Sequence, residues 1–311
     1  MLHENALSGT DVLPNAGNAC AIVVTYNPDA QFDERLALLK VQFSLVIIVD
    51  NASTSASAEN LKKLVPLAGT QWLFNDSNRG IATALNQGVA CAGDKGFKWA
   101  VTFDQDTLVA PDLLATLAQV YAAAAEEKVL LGGNYEDVHK HRNFVEAQYP
   151  GQLFQERKTL ITSGMLIPVA ATIELGGFRE DYFIDSVDHE FCLRARANGY
   201  RILISCRPVM RHSIGSKMDA SRHFSRFASF NHSPTRKYFI ARNTLTTARL
   251  YFFREPLWSM RQGWRLASDF ASILLFEKNK LKKAKAFLSG LCHAVLGRMG
   301  PVTDVQASNW K

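Results

Sequence analysis

The segment Phe103-Asp104-Gln105-Asp106 sets two carboxylates one residue apart, at the end of a half-apolar run that begins at Phe97. Side chains two apart on extended backbone point the same way. Carboxylate oxygens are hard donors suited to Mg²⁺ or Mn²⁺, ions that complete their shell with water and substrate phosphate. An Asp-x-Asp pair is also a common solvated turn, so its chemistry depends on the elements that surround it.

Those elements alternate. Apolar runs rich in β-branched residues predict strands over residues 21–25, 45–49, 72–75 and 99–103. Amphipathic stretches predict helices over 32–43, 79–92 and 111–127, the last with Pro111 near its first turn. Strand, helix, strand implies right-handed crossovers and a parallel sheet. Ligands bind such sheets beyond the carboxyl ends of the strands. Thr25, Tyr26, Asn27, Asp50, Asn75 and the Asp104-Gln105-Asp106 turn are therefore expected to converge on one ligand. Asp50 can accept a hydrogen bond from a base imide or a ribose hydroxyl, with Thr25, Tyr26 and Asn27 flanking the base. Its alternative is an Asx turn opening the Ser-rich loop at 53–57. Arg79 and the amides of the helix after Gly80 can lie beside the nucleotide.

A second set of candidates lies between 159 and 215. Residues 160–167 read as a strand interrupted by Gly164, a sign of close backbone approach. A helix starting near Ser186 puts Glu190 and Arg194 on one face, where they can pair, and leaves Asp188 on another face in the first turn. Asp188 there is either a dipole-favoured first-turn acid or a reactive carboxylate. Arg211, Lys237, Arg242 and Asn243 are candidates for diphosphate contacts, because guanidinium groups grip phosphate bidentately.

Five motifs in order resemble the inverting glycosyltransferases of family 2: Val23-Val24-Thr25-Tyr26-Asn27-Pro28, Ile48-Val49-Asp50-Asn51-Ala52-Ser53, Asn75-Asp76-Ser77-Asn78-Arg79-Gly80-Ile81-Ala82, Phe103-Asp104-Gln105-Asp106 and Phe183-Ile184-Asp185-Ser186-Val187-Asp188-His189-Glu190 running on to Arg194. Within the family the chain looks most like the bacterial rhamnosyltransferases. The resemblance implies the GT-A fold, an α/β architecture with a mostly parallel Rossmann-like sheet, helices on both faces and a C-terminal helical region. It implies Asp188 as catalytic base, Asp106, Asp104 and His212 as ligands of Mg²⁺ or Mn²⁺, and a uridine or thymidine ring held at the strand ends. The expected reaction moves L-rhamnose from dTDP-β-L-rhamnose, with inversion, to a hydroxyl of a polysaccharide or lipid-linked oligosaccharide. Within the enzyme class the alternative is a UDP-hexose donor; outside it, a catalytically silent nucleotide-sugar-binding subunit of an assembly complex. A nicotinamide dehydrogenase is excluded, since no Gly-x-Gly-x-x-Gly follows the first strand.

Composition agrees. A chain of 311 residues, 47% hydrophobic, can bury a sizeable core. Residues 1–17 read as a flexible leader without a signal-peptide pattern, 18–235 as the catalytic domain (nucleotide-binding half 18–110, acceptor half 111–235) and 236–311 as a basic helical region. Cys20, Cys91, Cys192, Cys206 and Cys292 are scattered, as buried thiols of a reducing compartment would be, so a cytoplasmic location is expected. The span 236–311 holds 14 Lys or Arg against 4 Asp or Glu. With Trp258, Trp264, Phe270, Leu274, Leu275 and Phe276 ahead of Lys278, Lys280, Lys282, Lys283 and Lys285, it suits peripheral association with an anionic membrane surface, or homo-oligomer packing with solvated lysines. No nucleic-acid recognition motif accompanies the charge.

Overall fold

The computed structural model describes residues 13–125, 128–137, 142–212 and 231–302. In chain order the elements are β1 (Ala19–Thr25), α1 (Phe32–Gln42), β2 (Val46–Asp50), α2 (Ser55–Leu64), β3 (Thr70–Phe74), α3 (Ile81–Asp94), β4 (Trp99–Asp104), β5 (Leu108–Val109) and α4 (Leu113–Ala124). They continue as β6 (Val129–Asp137), β7 (Arg142–Asn143), β8 (Phe154–Glu156), β9 (Met165–Pro168), α5 (Val169–Glu174), α6 (Val187–Ala197), β10 (Arg201–His212), α7 (Pro234–Leu250), α8 (Pro256–Phe276) and α9 (Lys280–Leu296), with a 3-10 turn at Glu180–Tyr182 before α6.

The chain divides into two compact units. The first comprises Met1–Asn78, Ala84–Gly177 and Arg194–Ser213; the second comprises Arg79–Thr83, Phe178–Leu193 and Ile214–Lys311. The grouping differs from a simple cut at residue 235, because the segment that carries Asp188 belongs with the C-terminal helices.

In the first unit one sheet runs in the order β3-β2-β1-β4-β9-β6-β10-β5, with β7 on β6 and β8 on β10. The sheet departs from a simple parallel one beyond β4. The pairs among β3, β2, β1 and β4 are parallel, but β9 runs antiparallel to both β4 and β6. The sheet is therefore mixed beyond β4 and not parallel throughout. All seven residues of β1 are buried, which is why it reads as an unbroken apolar run. Ala21 and Val23 face a core with Phe32, Leu36 and Leu39 of α1 and Leu113, Leu117 and Val120 of α4. Ile22 points to the other face, where α3 comes so close that a Cβ on Gly88 would stand 2.4 Å from Ile22 Cγ2. Helices thus cover both faces, and α3 reaches its strand only because residue 88 is glycine.

The expected strand over 160–167 is shorter. Gly164 has φ +73°, and extended pairing begins only at Met165. The helix expected from Arg79 starts at Ile81, and that expected from Pro111 starts at Leu113, with Pro111 and Asp112 in the preceding turn.

In the second unit α7 begins at Pro234 behind Ser233, whose Oγ accepts from Arg236 N at 3.2 Å. Ala241, Leu266, Ile273, Ala284 and Phe287 join α7, α8 and α9 in one small core. Between these helices Glu277 is fully buried and bonds Lys237 Nζ and Lys283 Nζ at 2.7 Å each. Lys237, a candidate diphosphate contact, is thus a buried ion-pair partner, and Lys283 does not belong to the exposed basic patch. Burial beside Arg236 and Lys237 pulls the nearby His232 down to about 4, so its ring is neutral at neutral pH. Removing the shared acid leaves two buried ammonium groups facing each other. Glu277→Ala should therefore cost about 3–5 kcal/mol of stability, read from denaturant unfolding at pH 7. A change within about 0.5 kcal/mol, the scale of an ordinary surface substitution, would show that these cations are effectively solvated.

Candidate active site

The polar ends of the parallel strands meet in the first unit as expected. Asp50, at the end of β2, is 3% exposed and accepts from Thr25 Oγ1 (2.9 Å), Ser53 Oγ (2.6 Å) and Ser53 N (2.9 Å). The Asx turn is real, and Asp50 and the buried Thr25 act as the frame of the loop. Asn27 sits at φ 51° and completes that frame: its N–H donates to Ser53 Oγ at 2.8 Å, and its Oδ1 accepts from Thr54 N and Thr54 Oγ1. Asn75 exchanges both amide hydrogen bonds with Gln87 of α3, at 2.9 and 2.8 Å, and also donates to Asn51 Oδ1. Asp50, Thr25, Asn27 and Asn75 are thus largely occupied within the protein. Tyr26 is different, with its side chain on a residue that is 47% exposed.

Gln105, the middle residue of the carboxylate turn, ties this loop to the carboxylates. Tyr26 N donates to Gln105 Oε1 at 2.7 Å, and Gln105 Nε2 donates back to Tyr26 O at 3.2 Å. Ser163 does the same for Asp104: its Oγ accepts from Asp104 N at 2.9 Å, donates to Asp104 Oδ2 at 3.0 Å and touches Thr107 Oγ1 at 2.6 Å. Only the neighbouring glycine marked that position in the sequence. Asp106, two residues on, is exposed.

Asp104 and Asp106 are the residue types that would hold a divalent ion here. Two hard carboxylates on a pinned turn are the usual protein share for Mg²⁺ bound to a substrate phosphate. Among the described residues no cluster of three His, Cys, Asp or Glu side chains gathers. The expected third ligand, His212, ends β10 with its main chain in register with Asp137, and its side chain lies outside the described residues.

Residues 20–173 match the family described as Glycosyl transferase family 2. The chain carries a family 2 glycosyltransferase domain. It is 26% identical over 305 residues to the dTDP-rhamnosyl transferase RfbF of Shigella flexneri, a match covering 91% of this chain and 97% of that protein. Among solved structures it is similar to the mannosyltransferase PcManGT from Pyrobaculum calidifontis in complex with GDP-Man and Mn²⁺ (TM-score 0.55, 16% identity, 93% of this chain and 89% of that one). It is also similar to TarS 1–349 of S. aureus in complex with UDP-GlcNAc (TM-score 0.51, 20% identity, 88% of this chain and 72% of that one). The fold is GT-A, with the mixed sheet described above.

In the second unit of this glycosyltransferase, Asp188 lies in the first turn of α6 with its side chain 18% exposed. Its Oδ1 accepts from His189 N at 2.8 Å, and His189 Nδ1 stands 3.8 Å away. Glu190 on the same helix accepts from Tyr251 OH at 3.0 Å, while Arg194 donates to the carbonyls of Leu175 and Gly177. Asp185 is bonded through Oδ1 to Arg236 at 3.4 Å, and burial raises its carboxyl above the ordinary Asp range against the pull of that arginine. Arg79 is exposed on the loop before α3.

Arg242, expected at the diphosphate, is employed inside the protein. It is 1% exposed, and its guanidinium donates to Asn243 Oδ1 (2.9 Å), Gly300 O (2.6 Å), Asp181 O (3.1 Å) and Tyr182 O (3.2 Å), with Tyr238 and Phe239 rings packed on it. Asn243 is fully buried and likewise engaged with main-chain carbonyls. Arg211, by contrast, is exposed and pairs with Glu136 at 3.2 Å.

Proposed function

We propose that the chain transfers L-rhamnose from dTDP-β-L-rhamnose to a hydroxyl of a saccharide or lipid-linked saccharide acceptor, with inversion to an α-linkage. The observation that carries the donor is the similarity to a dTDP-rhamnosyl transferase over nearly the whole of both chains. Tyr26 is assigned to the face of the base, beside a loop whose shape Asp50, Thr25, Asn27 and Asn75 maintain. Asp104 and Asp106, with His212, are assigned to Mg²⁺ or Mn²⁺, and Arg79 to the diphosphate. An ion held there would offset the charge that develops on the leaving diphosphate.

Asp188 is assigned as general base. It accepts the proton of the acceptor hydroxyl as that oxygen bonds to C1 from the face opposite the diphosphate, and the C1–O bond to phosphate breaks with its electron pair leaving on dTDP. No general acid is needed, because a diphosphate leaves as an anion. Binding of dTDP, UDP and GDP by calorimetry with Mn²⁺ tests the base preference. The reading expects dTDP to bind most tightly, and a preference for GDP would overturn it.

The same reading includes docking on an anionic membrane surface through α8. Among the described residues no helix is long and apolar enough to cross a membrane. α8 turns Ser259, Gln262, Leu266 and Ile273 inward, yet holds Leu257 at 82%, Met260 at 63% and Trp264 at 76% exposure on the opposite side. A stripe of large apolar groups left outside, opposite a face already packed inward, is the pattern of a helix with a second, non-aqueous neighbour. Exposed Arg261 and Arg265 flank that stripe, and Lys278, Lys280, Lys282 and Lys285 are exposed beyond it. Such charges complement anionic headgroups, whereas a two-fold pairing of two copies through this face would oppose like charges. Leu257→Asp and Trp264→Asp should abolish co-sedimentation with phosphatidylglycerol-containing vesicles at low salt, while turnover on a short soluble acceptor persists. If the wild type fails to sediment at low salt, or forms a dimer that either substitution dissociates, the membrane reading is wrong.

A further inference from the structure

The segment that leads into α6 has a conformation that ordinary residues avoid. Phe183 (φ 65°, ψ −62°), Asp185 (φ 64°) and Ser186 (φ 61°) all have positive φ, and none is glycine. Ile184 N donates to Tyr182 O at 2.8 Å, so Phe183 is the centre of a γ-turn of the rare, strained hand. Backbone of this kind persists only where its surroundings over-determine it.

Those surroundings are largely one face of α7. Asn243 Nδ2 donates to three carbonyls of the turn, Tyr182 (2.9 Å), Ile184 (2.7 Å) and Asp185 (3.0 Å). Its Oδ1 is held in turn by Arg242 Nε at 2.9 Å, which fixes which end of the amide faces the turn. Phe239 stacks on Phe183 at 5.2 Å between ring centres, Thr244 Oγ1 meets Ser186 Oγ at 3.2 Å, and Thr247 Oγ1 meets Tyr182 OH at 2.9 Å. From the other side Ile81 N donates to Phe183 O at 2.8 Å, and a Cβ on Gly80 would lie 2.5 Å from that oxygen. Asp188 follows the strained residues directly, at the second position of α6.

We propose that Asn243 is a positioning residue for glycosyl transfer, holding the strained 182–186 turn so that α6 presents Asp188 in its reactive position. The inference rests on Asp188 being the base. A three-carbonyl clamp is far more than the helix needs to start, and misplacing a reacting group by about 1 Å can cost on the order of 100-fold in rate.

The test is a double-mutant cycle in the full chain. Asn243→Ala should lower kcat by about 10–100-fold with unchanged dTDP affinity and an unchanged KM for the donor. Combined with Asp188→Asn, it should add little to the loss from Asp188→Asn alone, since a positioning residue has nothing left to position. Full additivity, or wild-type kcat in Asn243→Ala beside an inactive Asp188→Asn, would overturn the clamp while leaving the base in place. Wild-type turnover in Asp188→Asn would remove the base reading itself, and the clamp with it. If Asn243→Ala does not fold, Ser186→Gly answers the same question. Glycine accepts φ 61° without strain but loosens the turn, so kcat should fall several-fold with no loss of thermal midpoint. Unchanged kcat in that variant would overturn the proposal.

Discussion

Asp188→Asn should retain donor binding and lose turnover by roughly 10²–10⁴, the usual span for removal of a general base. The amide is nearly isosteric and can still accept the 2.8 Å hydrogen bond from His189 N, so α6 has no reason to unfold. It cannot take a proton from an acceptor hydroxyl at neutral pH. Calorimetry with dTDP and steady-state turnover on the same preparation separate the two effects. Near wild-type turnover would move the role to another carboxylate, Asp185 being the first to examine because burial already biases it towards binding a proton.

Asp106→Ala should lower transfer by about 10³ or more, the scale of several kcal/mol lost at a leaving diphosphate. This is the cleaner of the two carboxylate variants. Asp106 is exposed, whereas Asp104 is tied through Ser163 to Thr107, so its removal would also disturb the turn. In Asp106→Ala the tightening of dTDP binding by Mn²⁺ should disappear and the thermal midpoint should hold. An unchanged metal dependence of dTDP binding would show that the ion is held elsewhere.

Much of the fold was legible because β1, β2 and β4 are buried and therefore spell out apolar, β-branched runs that end in polar residues. The direction of β9 was not legible. Strand polarity is decided by connections and partners, and nothing local in Met165-Leu166-Ile167-Pro168 distinguishes a parallel neighbour of β4 from an antiparallel one. The short β5, β7 and β8 carry too few residues for any period to show.

Within the candidate site, residue types were easier to read than their employment. Asp50 and Asn75 stand at the strand ends where they were expected, but their hydrogen bonds run largely to Ser53, Thr25, Gln87 and Asn51. Arg242, Lys237 and Lys283 looked like phosphate or surface cations because charge in a sequence carries no record of burial; here carbonyls and Glu277 hold them inside. The turn before Asp188 was the least visible. Left-handed backbone is announced in a sequence by glycine, and Phe183, Asp185 and Ser186 give no such notice, since the contacts that impose it come from α7 some sixty residues later.

The most direct measurement is release of nucleoside diphosphate when the enzyme and a saccharide acceptor are incubated with Mn²⁺ and, separately, dTDP-β-L-rhamnose, UDP-glucose, UDP-GlcNAc or GDP-mannose. The account expects dTDP-β-L-rhamnose to give a kcat/KM at least about tenfold above every other donor, a margin that a single unmatched hydrogen-bonding group can supply, with an α-linked product. Turnover of a UDP- or GDP-sugar with dTDP-β-L-rhamnose inert would contradict it.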